Sequence, residues 1–225
     1  MTRLRELWEK LKLNSDPSSL TEEQIQAILP VLEQESDARR VRQIHYLLKR
    51  SGIKRIKRFE DFDWLFNPTL PRQEIMAFRS SPWREEARNL LFIGSTGVGK
   101  SHLASALCYD TIQKAIPASC LRCYDLVGKL KRSRNKHALI QYYSTINVLC
   151  LDELGYVFPT QEEANDIFQI ISKRSENLPT IVTTNLVPSQ WGKIFEAATA
   201  TAILDRLSMK GTFLTMEGPS YRGAK

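Results

Sequence analysis

The feature that most constrains this chain is the segment from Gly94 to Ser101, Gly-Ser-Thr-Gly-Val-Gly-Lys-Ser, which fits the pattern G-x-x-x-x-G-K-[ST] in full. It follows the apolar run Leu90–Ile93 and precedes a stretch with helical periodicity. Between a strand and a helix, this pattern forms a glycine-rich loop that wraps a chain of phosphates. The segment therefore predicts a strand, a phosphate-binding loop (P-loop) and a helix in succession.

The chain beyond this loop alternates between short apolar runs and amphipathic stretches. Ser101–Ala115 and Glu162–Glu176 are amphipathic, and the apolar runs are Leu90–Ile93, Ala118–Cys123, Val148–Leu151, Thr180–Thr184 and Thr212–Met216. Buried parallel strands alternating with helices produce this pattern. The sequence therefore predicts an α/β fold in which helices cover both faces of a parallel sheet.

The P-loop residues predict binding of ATP with Mg²⁺. The glycines let backbone N–H groups and the positive end of the next helix face the phosphates. The Lys100 ammonium should reach the β- and γ-phosphates, and the Ser101 hydroxyl should ligate Mg²⁺. The predicted nucleotide-binding residues of this segment are Gly94, Ser95, Thr96, Gly97, Val98, Gly99, Lys100, Ser101 and His102.

Two acids follow the apolar run Val148–Leu151, about fifty residues after the P-loop. We expect Asp152 to hold the magnesium ion and Glu153 to orient and deprotonate the attacking water. The alternative interpretation is an acidic turn at the end of a strand. One strand candidate lies between the P-loop and these acids, an order that favours a hydrolysing ATPase over a GTP switch or a kinase.

The next apolar run ends in Thr183-Thr184-Asn185. A polar residue at the tip of a strand beside the P-loop strand can hydrogen-bond the attacking water or the γ-phosphate, so Asn185 is a third catalytic candidate. The alternative is an Asn that caps the turn before Pro188.

The first 58 residues predict a small, basic helical region. Thr21 and Gln24 form a capping-box pattern before helically spaced apolar residues. A second helix is expected from about Ser36 to Leu48, ending at Gly52. The aromatic segment 59–66 then predicts an extended latch that packs onto another part of the protein. The ATPase domain is expected to span residues 59–225, including this latch.

Charge indicates a polyanionic partner. The formal net charge is +7, and the nine basic residues between Ala38 and Phe59 are accompanied by no acidic one. The block Lys129–Lys136 adds five more. Such blocks are typical of phosphate-backbone binding in proteins that meet DNA, although solvated helix faces are the alternative. No base-reading motif is evident, so we expect binding to be indifferent to sequence.

The cysteines and the hydropathy indicate a cytoplasmic protein. Cys108, Cys120, Cys123 and Cys150 lie in apolar runs, which suits buried thiols in a reducing compartment. Cys120 and Cys123 form C-x-x-C, but a zinc site would need a second pair that the chain lacks. No apolar run reaches the roughly 18 residues of a membrane span, and the charged N-terminus does not resemble a signal peptide.

Together these motifs resemble the IstB-type transposition helper ATPases and, more distantly, the DnaC-type helicase loaders. The resemblance covers roughly Arg39 to Arg222. It rests on the segments Asp152–Tyr156, Glu162–Asn165, Phe168–Ser172, Thr183–Leu186, Ala202–Leu207 and Gly218–Arg222, together with Trp191 and Phe195. Ser95-Thr96, where the family commonly has proline, and Ser101, where it has Thr, are mild departures.

The resemblance implies an AAA+ domain without a C-terminal lid. It implies that Arg206 is an arginine finger reaching a neighbouring subunit's γ-phosphate, and that Arg222 acts as a sensor near the same nucleotide. For Arg206, a helix-surface salt bridge to Asp205 is the alternative. In initiator-type relatives the segment after the second strand faces the central channel of a helical oligomer, so the expected DNA contacts are Lys129, Lys131, Arg132, Arg134 and Lys136, with Arg55, Lys57 and Arg58.

Three functions compete on these observations. The first is a transposition helper that oligomerises on duplex DNA and delivers it to a transposase, and the second is a replicative helicase loader. A small-molecule P-loop enzyme is the third, but it would need neither a trans-acting arginine nor two basic blocks. The segments Glu162–Ser172 and Trp191–Phe195 and the basic N-terminal region favour the transposition helper.

Overall fold

A computed structural model of the chain describes residues 2–156 and 158–223. Five strands form one sheet in the order β2-β3-β4-β1-β5, and every neighbouring pair is parallel. The strands are β1 (Asn89–Gly94), β2 (Ala118–Arg122), β3 (Val148–Leu154), β4 (Thr180–Thr184) and β5 (Gly211–Met216). The predicted parallel sheet is confirmed, and β4 has the bounds that its apolar run predicted.

The helices that the structure describes precede the sheet or connect its strands. They are α1 (Thr2–Lys10), α2 (Glu22–Arg50), α3 (Arg72–Ser80), α4 (Lys100–Gln113), α5 (Cys123–Arg132), α6 (Lys136–Thr145), α7 (Gln161–Arg174) and α8 (Ala197–Ser208). Short 3₁₀ turns lie at Pro17–Ser19, Pro188–Lys193 and Tyr221–Gly223. Among the described helices, none combines the length and the apolar character that a membrane span requires.

Alternating side chains of the strands build a separate core on each face of the sheet. In β1, Leu90 and Phe92 pack on the face covered by α3 and α4, whereas Leu91 and Ile93 pack on the opposite face. Helices α5, α6, α7 and α8 cover that second face. The sheet is therefore buried on both sides, which explains why its strands read as nearly continuous apolar runs.

Helix α2 corrects the expectation of two helices in the N-terminal region. The capping box of Thr21 and Gln24 starts it as predicted, but the helix continues without a break to Arg50. Pro30 lies inside the helix, where it removes one backbone hydrogen bond without ending the helix. Arg39 and Glu35 form an i,i+4 ion pair at the start of the second predicted helix, and no glycine separates the two halves.

The two halves of α2 pack on different partners. The first half joins α1 in a small apolar cluster that includes Leu4, Leu7 and Leu32. In the second half, Ile44 and Leu48 pack against the core that contains α4, whereas Val41 is exposed. The domain boundary near residue 58 stays a prediction, since α2 contributes to both clusters.

The aromatic latch, residues 59–66, packs onto the sheet domain through turns and not as an extended strand. Phe59 is buried in the core that contains α4, and Phe62 and Trp64 pack against the same core. The Asp63 carboxylate accepts hydrogen bonds from the backbone N–H groups of Leu65 and Phe66, which forms one of the turns. The turns bring aromatic side chains to the carboxyl edge of the sheet, beside the P-loop.

Candidate nucleotide-binding site

The P-loop joins β1 to α4 through glycines in the left-handed region of backbone conformation. Gly99 is the N-terminal cap of α4 at φ +103°, and a Cβ there would lie 2.5 Å from the Phe62 ring. Gly97 has φ +88°, and a Cβ there would collide with Ser220. Both positions therefore require glycine for two reasons, the backbone conformation and the close approach of a neighbouring segment.

Lys100 lies folded into the P-loop and is 7% exposed. Its ammonium donates hydrogen bonds to the carbonyl oxygens of Gly94 and Ser95, at 2.7 and 2.6 Å. Burial lowers its pKa, and the positive charge of Arg222 adds to this effect, while Asp152 and Glu153 oppose it. The ammonium is thus held in a partly desolvated position where an anion would meet strong attraction.

The two acids lie at the carboxyl end of β3, where the strand becomes irregular. The pairing with β4 shifts register between Leu151 and Leu154, and Glu153 has φ +59°. A non-glycine residue in this conformation costs energy and is common at functional sites. The irregularity lets the consecutive residues Asp152 and Glu153 serve one site, where a regular strand would send them to opposite faces.

Thr183 of β4 connects both acids, and sequence reasoning did not select it. Its hydroxyl donates to the Asp152 carboxylate at 2.5 Å and accepts from the Glu153 backbone N–H at 2.9 Å. Asn185, the catalytic candidate that the sequence predicted here, lies beyond β4 and is exposed. Among the described residues that line the cavity, Thr183 is the one that belongs to β4. The signal that could have found Thr183 is a hydroxyl residue near the carboxyl end of the strand that follows the acids in the chain.

These groups border a cavity of about 440 Å³, a size typical of small-ligand sites. The P-loop, Glu153 and Thr183 form one wall, and Asp152 contacts Thr183. The latch forms another with Asp61, Phe62, Asp63 and Phe66, and the C-terminal segment adds Tyr221 and Arg222. The described chain therefore folds both its latch and its C-terminal segment over the P-loop.

Three contacts connect these walls and the P-loop. The backbone N–H of Tyr221 donates to the Gly97 carbonyl at 3.1 Å, and the Tyr221 ring meets the Phe66 ring edge-on at 4.9 Å. The Tyr156 hydroxyl and the Thr96 hydroxyl are 2.8 Å apart. The P-loop is thus in direct contact with the C-terminal segment and with the turn after β3, and the latch contacts it through Tyr221.

His102 links the first turn of α4 to the segment before the latch. Its Nε2 lies 2.8 Å from the Arg58 carbonyl oxygen, which can only accept, so Nε2 carries the hydrogen. Burial lowers the pKa of His102, which keeps the ring neutral at pH 7. The ring also meets Phe62 edge-on at 5.2 Å. His102 lines the cavity and holds its latch wall in place.

The segment containing Arg55, Lys57 and Arg58, which the sequence predicts to contact DNA, lies beside the nucleotide cavity. Arg55 and Lys57 line the cavity. The Arg58 guanidinium lies over the Tyr109 ring of α4, 5.8 Å from its centroid. After Gly52 the chain crosses the edge strand β2, where the Ser51 carbonyl accepts from the Cys120 N–H. It then continues along the carboxyl edge, which places these cations beside the P-loop.

The second basic block spans the end of α5 and the start of α6, and its members differ in their partners. The Lys136 ammonium is 2.7 Å from both Glu162 and Asp166, and Lys131 is 3.9 Å from Glu163. The Lys129 ammonium donates to the Tyr143 hydroxyl at 3.4 Å. In the described part of the chain, Arg132 and Arg134 are exposed and form no ion pair.

Arg206 and Arg222 occupy different surroundings. Arg222 lines the cavity of its own chain. Arg206 lies on α8, outside the described cavity lining, and its side chain is 39% exposed. Its nearest acid is the neighbouring Asp205 at 3.3 Å. An exposed ion pair of this kind is weak, so the Arg206 guanidinium is free to exchange Asp205 for another anion.

The residues present fit a nucleoside triphosphate with magnesium. Lys100 and the backbone N–H groups at the start of α4 could hold phosphates, because that helix end carries partial positive charge. The Ser101 hydroxyl and the Asp152 carboxylate are oxygen ligands of the kind that Mg²⁺ prefers. The P-loop glycines allow the backbone to approach the phosphates closely, and the buried Lys100 ammonium supplies positive charge to them.

Comparison with known proteins decides the family. The model of the IstB-like ATP-binding protein family matches residues 2–225. The chain belongs to this family. It is 32% identical over 202 residues to an insertion sequence IS232 ATP-binding protein of Bacillus thuringiensis subsp. berliner, which covers 88% of this chain and 81% of that relative. This IstB-like protein is therefore an ATP-binding AAA+ ATPase, and the family expected from its motifs is confirmed.

Two solved structures share this architecture. The DnaI structure superposes with a TM-score of 0.62 at 23% identity, covering 73% of this IstB-like chain and 89% of that one. The DnaC helicase loader superposes with a TM-score of 0.54 at 25% identity, covering 64% and 87%. These similarities confirm the AAA+ form of the α/β fold that the motifs predicted.

Proposed function

We propose that this IstB-like ATPase assembles on duplex DNA in the cytoplasm and assists a transposase. The observation that carries the proposal is the combination of a complete nucleotide site with 32% identity, over most of the chain, to an ATP-binding protein of an insertion sequence. Insertion sequences move by transposition, and an ATPase encoded there needs DNA and a recombination enzyme as partners.

The site residues divide the chemistry of ATP hydrolysis among them. Lys100 and the P-loop N–H groups would bind the phosphates, and Ser101 and Asp152 would hold magnesium, which neutralises developing charge at the γ-phosphate. Glu153 would accept the proton of the attacking water. Thr183 keeps Asp152 and Glu153 in place through its two hydrogen bonds. Arg222 would meet the nucleotide of its own subunit.

We propose that the protein self-associates, and the position of Arg206 supports this. This arginine does not line the described cavity of its own chain, yet it is exposed and carries only a weak pair with Asp205. A guanidinium in this position can reach a phosphate held by the next subunit of an oligomer, where it would stabilise the transition state. ATP would then join subunits, because one subunit binds it and the next completes the site.

DNA contact is proposed at Arg132 and Arg134, with Lys129 beside them. Lys136 lies 2.7 Å from both Glu162 and Asp166 and therefore contributes less positive charge to the surface, whereas Lys131 is exposed and its pair with Glu163 at 3.9 Å is weak. A guanidinium without an acidic partner binds phosphate oxygens without first breaking an ion pair. Arg55 and Lys57 are assigned to the nucleotide cavity and not to DNA.

The DNA proposal predicts a steep salt dependence carried by the two arginines. Affinity for two unrelated duplexes should fall with salt, because log K changes by roughly 0.9 per log unit of salt for each neutralised phosphate. The double variant Arg132→Ala/Arg134→Ala should show a smaller slope and weaker binding to both duplexes alike. Fluorescence anisotropy with ATP at several salt concentrations measures this.

The control removes the same charge elsewhere. Lys173 and Lys210 are exposed near the amino ends of β4 and β5, and neither forms an ion pair in the described part of the chain. Lys173→Ala/Lys210→Ala should keep the slope of the unsubstituted protein. Equal slopes for the two double variants would remove the α5–α6 segment from the DNA path, and a strong preference for one duplex would contradict backbone recognition.

A helicase loader is the second candidate, because the DnaC helicase loader superposes on this chain at 25% identity. The two functions differ in the partner that the ATP-bound protein retains. The tagged full chain with ATP should retain a transposase encoded by the same insertion sequence and not the replicative hexameric helicase. The reverse result would support the loader function.

A further inference from the structure

Three of the four cysteines converge beneath the nucleotide site. Cys108 lies on α4, Cys120 on the edge strand β2 and Cys150 on β3, and their sulfur atoms all lie within 4.8 Å of one another. Cys120 and Cys150 are register partners on neighbouring strands. Cys123, three residues after Cys120, packs in the core on the opposite face of the sheet. The two cysteines of the C-x-x-C motif therefore do not share a site. The tertiary structure instead brings Cys120 together with Cys108 and Cys150.

The trio offers three sulfur ligands and nothing else. Among the described residues, no histidine or carboxylate belongs to the group. An ion at the centre of a sulfur triangle, at the roughly 2.3 Å of zinc thiolates, needs sulfurs about 4.0 Å apart, which the 4.8 Å limit allows. Zinc itself takes four ligands in structural sites, so the trio suits an ion that is satisfied by three.

Burial restricts the charge of such a complex. Cys108 and Cys150 are fully buried, and only Cys120 is partly accessible at the edge of the sheet. A net charge in this apolar core would lack compensation from water or a counter-ion and would be costly. Three thiolates carry three negative charges, so a trivalent thiophilic centre gives a neutral complex, whereas monovalent or divalent ions leave the site negative.

We propose that the Cys108, Cys120 and Cys150 trio is a binding site for trivalent arsenic, taken up as arsenite. Arsenous acid reacts with the three thiols, three As–O bonds break and three As–S bonds form. Each thiol proton leaves with a hydroxide as water, so three waters are released. The oxidation state of arsenic does not change, and neither an oxidant nor a reductant is consumed.

Cys120 is the cysteine through which the reaction starts. It is the least buried member of the trio and lies on the edge strand β2, with the thiols of Cys108 and Cys150 beside it. A thiolate is the reactive form of cysteine. Cys123 has no such neighbours, and burial raises its pKa to about 12. The two residues of the C-x-x-C therefore differ in reactivity.

The cysteine trio and the nucleotide cavity are formed by the same two elements, α4 and β3. Cys108 lies on the helix that begins at Lys100, and Cys150 is two residues before Asp152 on β3. Arsenic held between α4, β2 and β3 would cross-link the P-loop helix to the strand that carries the acids. Loaded protein should resist thermal unfolding, because binding to the folded state raises the melting temperature.

The experiment titrates the reduced full-length protein with sodium arsenite, in a phosphine reductant that offers no competing thiol, and follows native mass spectra and melting curves. The unsubstituted protein and the control Cys123→Ala should each gain one arsenic and lose three hydrogens, with a raised melting temperature. Cys120→Ala and Cys150→Ala should bind at least about tenfold more weakly, because two sulfurs remain.

Two results would overturn the proposal. One is an arsenic adduct on the Cys120→Ala variant with the same affinity as on the unsubstituted protein. The other is a folded unsubstituted protein that takes up no arsenic. Cys120→Ala removes a partly exposed side chain, so its melting curve without arsenite shows whether it is folded, and Cys150→Ala provides an independent variant on the neighbouring strand.

Discussion

At the scale of single residues, Thr183 has the most contacts with other candidate catalytic groups. Its hydroxyl serves Asp152 as donor and the Glu153 N–H as acceptor, so one oxygen sets the position of both acids. Thr183 is buried, although it lines the cavity. We infer that it is a positioning residue for the acids.

The substitution Thr183→Val tests this role because valine keeps the shape and removes the hydroxyl. We expect ATP turnover to fall roughly tenfold or more while the KM for ATP changes little. The unsatisfied Glu153 N–H should also lower the free energy of unfolding by about 1–3 kcal/mol. Steady-state kinetics and urea unfolding measure the two effects.

Thr183→Ser is the matched control, since serine keeps the hydroxyl and loses only a methyl group. It should recover most of the turnover. If Thr183→Val hydrolyses ATP as fast as the unsubstituted protein, the hydroxyl has no part in positioning the acids, and Asn185 becomes the stronger candidate.

Glu153 is the predicted general base of ATP hydrolysis, and its left-handed backbone conformation supports a functional role. Glu153→Gln keeps the size of the side chain and removes the proton acceptor. Turnover should fall by about 10²–10⁴-fold, the usual contribution of a general base. Nucleotide binding, measured with a fluorescent ATP analogue, should stay within a few-fold. Normal turnover in this variant would transfer the base role to another group.

At the scale of elements, Arg174 holds the ends of four elements together. This side chain, the last residue of α7, is fully buried. Its guanidinium donates to the carbonyls of Tyr143, Ile146 and Pro179 at 2.6–2.8 Å, and to the Thr180 hydroxyl at 3.1 Å. Burial lowers its pKa to about 9, which still leaves it protonated at neutral pH. It thereby joins the end of α6, the connection that leads into β3, the end of α7 and the start of β4, at the sheet end opposite the nucleotide.

Removing this guanidinium should destabilise the fold and spare the site. Arg174→Met leaves buried carbonyls without donors, and each such group costs about 1–3 kcal/mol, so we expect a loss of at least about 3 kcal/mol in unfolding free energy. Denaturant unfolding measures it. Lys173→Met, at the exposed neighbouring position, should change stability by no more than about 0.5 kcal/mol. Equal stability of the two variants would contradict the bridging role.

At the scale of the whole molecule, the proposed oligomer predicts complementation between two inactive variants. Lys100→Ala removes the P-loop cation, and Arg206→Ala removes the residue proposed to act on the next subunit. Each alone should hydrolyse ATP poorly. Mixed in equal amounts, they should regain activity, because about a quarter of head-to-tail interfaces would pair an intact P-loop with an intact arginine. A coupled ATPase assay on the mixtures measures it.

Formation of mixed oligomers needs its own check, since two variants that do not associate cannot complement. Differently labelled subunits should transfer excitation energy in the presence of ATP. If mixed oligomers form and activity stays absent, Arg206 does not act across the interface, and its exposed pair with Asp205 is its main contact.

The sequence by itself determined the features that depend on neighbours along the chain. The P-loop and its flanking strand and helix follow from residue spacing, and the acids at the end of β3 follow from an apolar run that ends in charge. The capping box at Thr21 and the bounds of β4 were equally readable. These features depend on local backbone geometry and on periodic burial, and short stretches of sequence predict both.

Only the tertiary structure decided which distant residues meet. The strand order β2-β3-β4-β1-β5 places Thr183 beside the acids and gathers Cys108, Cys120 and Cys150 from three elements. The path after Gly52 brings Arg55 and Lys57 to the nucleotide cavity, although their charge alone indicated DNA. Such contacts depend on how helices and strands pack across long sequence separations, and the local pattern of apolar and charged residues does not encode that packing.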